Sequence, residues 1–417
     1  MQQRPDATPP RPLSAAPLRS APMLATLLLA GLPFPALAQD RPVQQMANDT
    51  VIATTSLSAP QNDRPATGDA AASAAAPPAP PAAKKMKPDL LVVPIPMSNP
   101  TVGAGLTVAG VLFYNPNGSS QPWVTGGGAF YTTNKSWGAG AVHSMSLDDD
   151  RFKVLLFGGY ADINMQFYGI GANAGDRDIS VDLEDRGTMI LSQGQYEIAE
   201  HFYVGARYRF LKVNSRIKRE NPLFPDLNLP GNLLDSQTSG IGPVVTYDSR
   251  DNQFAPRKGA NVTLVGVFNM DALGSDFSYD TWQFAASGYF PATSTGTLAI
   301  HGSLCAVSKG APFYDLCMYG QNGDLRGYEM GRYRDRAMWT AQIEWRQQMS
   351  DRFGGVLFGG IGGIGDSLGD LDHGKFLPAV GMGLRYKASP ETGTNLRLDI
   401  AMGRDSQAIY FGIGEAF

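Results

Sequence analysis

The sequence has few of the residues that build metal sites. It holds 2 cysteines and 4 histidines in 417 residues, and His143, His201, His301 and His373 lie far apart with no CxxC or HExxH spacing. The usual zinc patterns are therefore missing, and neither a metal nor a cofactor is expected. Charge is scarce as well. Only 17% of positions are Asp, Glu, Lys or Arg, and 34 basic against 38 acidic residues leave a formal charge of -4. That balance lacks the cationic surface that nucleic-acid binding requires, so no nucleic-acid partner is expected. Catalytic signatures lack their structural context too: the G-x-S-x-G spelling Gly365-Asp366-Ser367-Leu368-Gly369 falls in a turn pattern and not at the strand-to-helix elbow that a nucleophile needs. The one G-x-G-x-x-G match, Gly360 to Gly365, has no βαβ pattern around it and runs into the turn Asp366-Ser367-Leu368-Gly369-Asp370. Asp148-Asp149-Asp150 falls between strand patterns, where solvated turns belong. The chain is not expected to be an enzyme.

Long apolar runs are also lacking. Beyond residue 88 none reaches the roughly 20 residues of a membrane-spanning helix. Near the front, Arg4, Arg11 and Arg19 precede an apolar stretch from Ala21 to Phe34, followed by Ala36-Leu37-Ala38. This order reads as a secretory signal peptide over 1–38. Residues 39–88 are Ala, Pro, Ser, Thr and Asp with almost no aromatics, a composition that cannot offset ordering entropy by burial. They are expected to be a disordered periplasmic leader, with the folded part in 89–417.

What the sequence does have is 48 glycines, 20 phenylalanines and 16 tyrosines, together with strict alternation. In 338–348, Trp339, Ala341, Ile343 and Trp345 share one face, and Thr340, Gln342, Glu344, Arg346 and Gln348 the other. A helix would mix the two sets. In 395–403, Leu396, Leu398, Ile400 and Met402 alternate with Asn395, Arg397, Asp399 and Ala401, and segments 202–210, 261–270 and 297–306 repeat the pattern. Similar stretches near 101–114, 122–132, 136–147, 151–161, 164–173, 187–198, 237–247, 278–290, 353–364, 376–387 and 408–417 bring the count to sixteen. About 20 residues per strand and turn suit a tilted transmembrane strand of about 10 residues with its connections. The expected fold is all-β: a transmembrane antiparallel β-barrel of about 16 strands. A soluble sandwich also alternates, but its outward face is polar, whereas here that face carries Trp339, Trp345, Phe202 and Phe210.

Four stretches then carry a resemblance. Tyr247-Asp248-Ser249-Arg250-Asp251-Asn252 with Pro256-Arg257-Lys258-Gly259 is similar to a Y-D-x-R-D-N…P-x-x-G turn. Leu325-Arg326-Gly327-Tyr328 with Gly331-Arg332-Tyr333-Arg334-Asp335 resembles an (V/L)-R-G-(F/Y) loop with its trailing G-R-Y-R-D. Gly381 to Tyr386 and Leu396 to Ala401 complete the set. Together they resemble the barrel of the BamA/TamA-like, bacterial surface antigen superfamily over roughly residues 99–417.

The resemblance implies a bacterial outer-membrane location and a long loop folded into the lumen, where Arg326 meets carboxylates. The family's F-x-D-x-G partner motif reads Phe358-Gly359-Gly360-Ile361-Gly362 here, so Glu344, Asp366 and Asp399 are the candidate partners. Residues 39–88 leave no room for a POTRA or lipase domain, so a barrel-only member is expected. The last strand, with Phe411, Ile413 and the aromatic Phe417, matches the C-terminal signal through which barrel-assembly machinery recognises such proteins.

The expected function is assistance in inserting or translocating a polypeptide or another envelope component, through the lumen or a weakly paired seam between first and last strands. A passive or gated pore for small solutes, lined by Arg207, Arg209, Arg346, Arg397 and Glu344, is the alternative. Outer-membrane lipid is the surrounding partner. Cys305 and Cys317, twelve positions apart, either close a loop or stand as two small apolar residues.

Overall fold

The computed structural model describes residues 88–417 apart from 100–102, 118–122, 178, 219–234, 253, 321–324, 372–374, 389–392 and 405. The signal peptide and leader expected over 1–88 lie, but for Pro88, outside the described residues. Sixteen antiparallel strands form one sheet in which each strand pairs with its neighbour in sequence. They are β1 (Asp89–Asn99), β2 (Gly103–Tyr114), β3 (Trp123–Thr132), β4 (Trp137–Leu147), β5 (Phe152–Phe167), β6 (Val181–Ala199), β7 (Phe202–Ile217), β8 (Asp235–Asp248), β9 (Gly259–Asn269), β10 (Tyr279–Pro291) and β11 (Gly296–Val307). After a long connection come β14 (Ala337–Gln348), β15 (Phe353–Gly365), β16 (Lys375–Lys387), β17 (Asn395–Gly403) and β18 (Ser406–Ile413). That connection contains a two-residue pair of its own, β12 (Cys317–Met318) with β13 (Arg334–Asp335). Among the described residues no helix is long and apolar enough to cross a membrane.

The sheet curls until β1 and β18 come into contact, and no ladder joins them among the described residues. This makes a nearly closed barrel with a seam. Full closure is how a β-structure satisfies its backbone in lipid, so among the described residues the seam is where that requirement is relaxed. β1 begins and β18 ends at the same mouth, called the near mouth here. Connections there are mostly short, such as 200–201, 292–295 and 349–352, whereas 168–180, 218–234 and 308–336 all emerge at the far mouth.

Alternation along each strand sorts the side chains as anticipated. On β14 Ile343 and Ala341 are exposed outward while Thr340, Gln342, Glu344 and Arg346 are buried inward. Leu106, Val108, Leu156, Ile190, Ile300, Leu357, Val380, Met382, Leu384 and Ile400 continue the outward apolar band around the barrel. Trp137 and Tyr160, 5.3 Å apart between ring centroids, stand on that outward face, where amphipathic rings favour a membrane interface.

Two expectations are corrected. The count of sixteen is reached by different strands: the segment near 164–173 is not separate, its first residues being the end of β5, and β1 lies ahead of the first strand expected. The break expected between 161 and 164 is absent: β5 runs on to Phe167, with the polarity of its two faces reversed. β5, β6 and β7 are 16, 19 and 16 residues long, well beyond the roughly 10 needed to span. In their far halves Asp162, Asn164, Glu184, Arg186, Lys212 and Arg216 share the outward face. Inward stand Ala161, Ile163, Met165, Leu183 and Val213, in one apolar core with Phe157, Met189, Leu191, Leu211, Phe313 and Tyr314. The inner face is therefore not polar throughout. Beyond the bilayer the wall meets water outside and is covered by its own connection inside, so the ordinary rule for soluble sheets applies.

Candidate functional site

The described residues of the connection 308–336 contact inward-facing side chains on β7 at one end and on β14 to β18 at the other. At its first end Cys305 of β11 and Cys317 of β12 form a disulfide, which decides between the two readings of that pair. Asp315 is buried against β7, its carboxylate accepting from Arg209 (Nη1 to Oδ1 3.0 Å, and Nη2 to Oδ2) and from the Tyr279 hydroxyl of β10. Sequence reasoning took Arg209 for a pore lining; its carboxylate partner lies 106 residues away, beyond any local signal.

At the other end every residue of Leu325-Arg326-Gly327-Tyr328 has a separate task. Leu325 is fully buried and lies over Gly360 of β15, where an added Cβ would come within 2.7 Å of its Cδ1. The glycine that replaces the family's acidic residue thus makes room for the loop. Arg326, with no exposed surface, donates from Nη1 to Asp399 Oδ2 of β17 at 2.5 Å and from Nη2 to Glu344 Oε1 of β14. Its guanidinium carbon stands 3.5 Å from the centroid of the Phe358 ring, a cation–π contact. Gly327 has φ +111° and packs on the backbone of β17, where a Cβ would lie 2.8 Å from Gly403 N. Its N–H donates to the Tyr410 hydroxyl of β18 at 2.6 Å and its carbonyl accepts from Ser406 at 2.5 Å. Tyr328 donates to the Pro378 carbonyl of β16 at 2.5 Å. The loop thereby touches all five strands that follow it.

Of the three carboxylates put forward for Arg326, Glu344 and Asp399 are in place and Asp366 is not. Asp366 sits in the turn after β15 and pairs with Arg336 (2.8 and 2.6 Å). The reason is reach, because Asp366 follows the end of β15 at the far mouth while Arg326 lies deep against the wall. Glu344 and Asp399 are shared further: Arg346 Nε meets Glu344 Oε2 at 2.8 Å and Arg385 Nη1 meets Asp399 Oδ1 at 2.5 Å. Such sharing suits buried charge, which must be paired and hydrogen-bonded to be tolerated. Arg346 and Arg397 are therefore members of, or neighbours to, this network, while Arg207 is bound to Gln193 (2.8 and 2.6 Å).

The last strand is shorter than expected. β18 stops at Ile413, and Gly414, at φ +84°, turns the chain inward. Phe411 and Ile413 stay on the outward face of the strand, but Phe417 does not: its ring stacks on His301 at 4.7 Å and its carbonyl accepts from Arg346 at 2.9 Å. Glu415 follows it inside, bound by Arg385 Nε and Asn395 Nδ2, both at 2.7 Å. Burial acts to raise its pKa, and Arg385 and Arg346 outweigh that, leaving it below the ordinary glutamate value.

The turn motif Tyr247 to Gly259 sits at the near mouth. Asp248 and Arg250 form a buried two-pronged pair (2.8 and 2.7 Å), and Asp251 Oδ1 accepts the N–H groups of Arg257 and Lys258 at 2.9 and 3.1 Å. Gly259 has φ +101° and lies against Ser249, a position that no side chain could share. Among the described residues no group of His, Cys, Asp and Glu is arranged to hold a metal.

A family model described as the Omp85 superfamily domain matches residues 100–417. No curated protein matches the chain. Among solved structures, CdiB from Escherichia coli aligns with a TM-score of 0.55 at 13% identity, over 77% of this chain and 61% of that one. CdiB from Acinetobacter baumannii gives 0.53 at 13% identity, over 78% and 59%. BamA from Haemophilus ducreyi lacking POTRA domains 1-3 gives 0.48 at 16% identity, over 76% and 66%. The chain thus spans less than two thirds of the length of these proteins, and the likeness to CdiB is one of fold. With its near mouth periplasmic, as the short turns of bacterial barrels require, the chain belongs to the Omp85 superfamily and is a bacterial outer-membrane β-barrel.

Proposed function

We propose that this barrel assists the insertion or translocation of a polypeptide or another envelope component at the seam between β1 and β18, with the 308–336 loop as a fixed part of its interior. The observation that carries the reading is the seam itself. β1 pairs with β2 along its whole length from Asp89 to Asn99 although it contains Pro94 and Pro96. Proline cannot donate to a ladder, and two prolines in alternate positions point their missing N–H groups toward the same edge. Since the β2 edge is paired, the edge turned to β18 is the one that lacks these two donors while keeping its other N–H and C=O groups. A wall that opens anywhere opens where its ladder is weakest, and an incoming strand finds free backbone groups there.

A passive pore suits the interior less well, because the loop contacts inward-facing side chains on β7 and on β14 to β18 and the arginines proposed as linings are engaged. The outward Phe411 and Ile413 are the side chains that β18 offers to assembly machinery and lipid, whereas Phe417 is turned away. No chemical step is part of this function.

The test is photocrosslinking in cells from Ile409 and Phe411, beside the seam, combined with depletion of the protein. Adducts with envelope polypeptides that vanish when β1 and β18 are covalently joined are expected. Undiminished activity with a joined seam, together with steady bilayer conductance, would overturn the proposal in favour of a pore.

A further inference from the structure

We propose that the described residues of the β8–β9 turn, 249–252 and 254–258, form a strap across the periplasmic mouth that holds the seam shut, with Phe254 as its tip; this inference rests on the seam reading above. β8 and β9 are eighth and ninth in the order of sixteen strands, so their turn starts from the wall opposite the seam. It is built to reach inward without collapsing. Asn252 Oδ1 accepts the N–H groups of Phe254 and Ala255 at 2.8 and 2.9 Å, and Asp251 closes the returning limb through Arg257 and Lys258. Arg257 ties the base to the adjacent hairpin through the carbonyls of Thr293 and Ser294 at 3.1 and 2.8 Å.

The tip meets both flanks of the seam with different parts of one residue. The Phe254 ring stands edge-on to Phe113 of β2, centroids 6.0 Å apart at 84°, in a small apolar cluster with Val111 and Val124. Phe113 is paired in register with Asp89, the first residue of β1. On the other flank the Phe254 carbonyl accepts the N–H of Glu415 at 3.2 Å, just past the end of β18. Glu415 is itself fixed by Arg385 and Asn395, and Gly414 N donates to Asn395 O at 2.7 Å. Where the two strands lack a ladder, this residue supplies a contact from each flank to a common third body. Parting the strands at the near mouth must break the ring contact or the carbonyl bond. The strap therefore sets how often the seam opens, and a periplasmic partner that lifts it would open the barrel from inside the cell envelope.

Hydrogen exchange on the intact chain in lipid vesicles tests this, comparing peptides of β1 and β18 with those of β5 to β7. An aromatic edge contact of this kind corresponds to about a tenfold change in an opening equilibrium. Phe254→Ala should therefore speed exchange in β1 and β18 by about tenfold and leave β5 to β7 unchanged, with Phe254→Leu in between. Phe113→Ala, which removes the other half of the contact from a different strand, should give the same pattern even if Phe254→Ala fails to fold. Seam peptides that exchange faster than β5 to β7 in the natural protein but no faster in either alanine variant would overturn the strap and leave the seam reading standing. Seam peptides as protected as β5 to β7 in every variant would overturn both.

Discussion

Arg326 occupies a position where one cation answers two carboxylates carried by strands on either side of it in the wall, Glu344 on β14 and Asp399 on β17. Removing one member of such a buried set leaves the others uncompensated, at a cost of roughly 3–5 kcal/mol. Arg326→Met should accordingly lower the temperature at which the barrel loses its heat-modifiable gel mobility. Arg326→Lys should recover only part of the loss, because an ammonium cannot present the fork that reaches both partners. Space is as specific as charge here. A Cβ at Gly362 would collide with the Tyr319 hydroxyl, so Gly362→Val should unseat the loop and expose Arg332, Arg334 and Arg336 to trypsin in intact vesicles. Unchanged resistance would show that the loop is seated by other contacts. For these residues the motif and a short set of acidic candidates were legible in the sequence. Alternation places Asp399 on the lumen face and leaves Asp366 at a strand end, but it cannot say which of them Arg326 reaches, since that depends on height in the barrel.

Among the elements, the end of β18 is the most sensitive to a single torsion. Gly414 is in the left-handed region, where a side chain costs about 1–2 kcal/mol. Gly414→Val should therefore release the Glu415 to Phe417 tail, seen as faster exchange of its amides and of Phe254's neighbours. Acid should do the same. The carboxyl of Glu415 is held below its ordinary value, so its contribution is present above the unfolded glutamate pKa and fades as pH falls through the lower folded one. Tail protection should persist at neutral pH and be lost below about pH 4, an exchange measurement across that range being the check. The strands show why local reading succeeded only in part. β14 and β17 announce themselves by clean alternation, whereas β1 hides behind Pro94 and Pro96 next to a proline-rich segment, and the far half of β5 hides because its apolar residues face inward.

For the whole molecule the apolar band sets the energy scale. Ile343 is exposed in the middle of β14, and Ile343→Arg should cost roughly 2–4 kcal/mol in a urea titration from vesicles if that face meets the bilayer core. Lys212→Leu, on the outward face where β7 has left the band, should stay within about 0.5 kcal/mol. Equal effects at the two sites would mean that the band is misplaced. The sequence by itself determined that the chain must close into a barrel, because period-two alternation and the lack of spanning helices are properties of neighbouring residues. The pairing of Arg209 with Asp315, the choice of Asp399, and the reach of Phe254 to Phe113 were decided only by the tertiary structure. Those contacts join residues that closure alone brings face to face, and no local pattern records which of many inward side chains will meet.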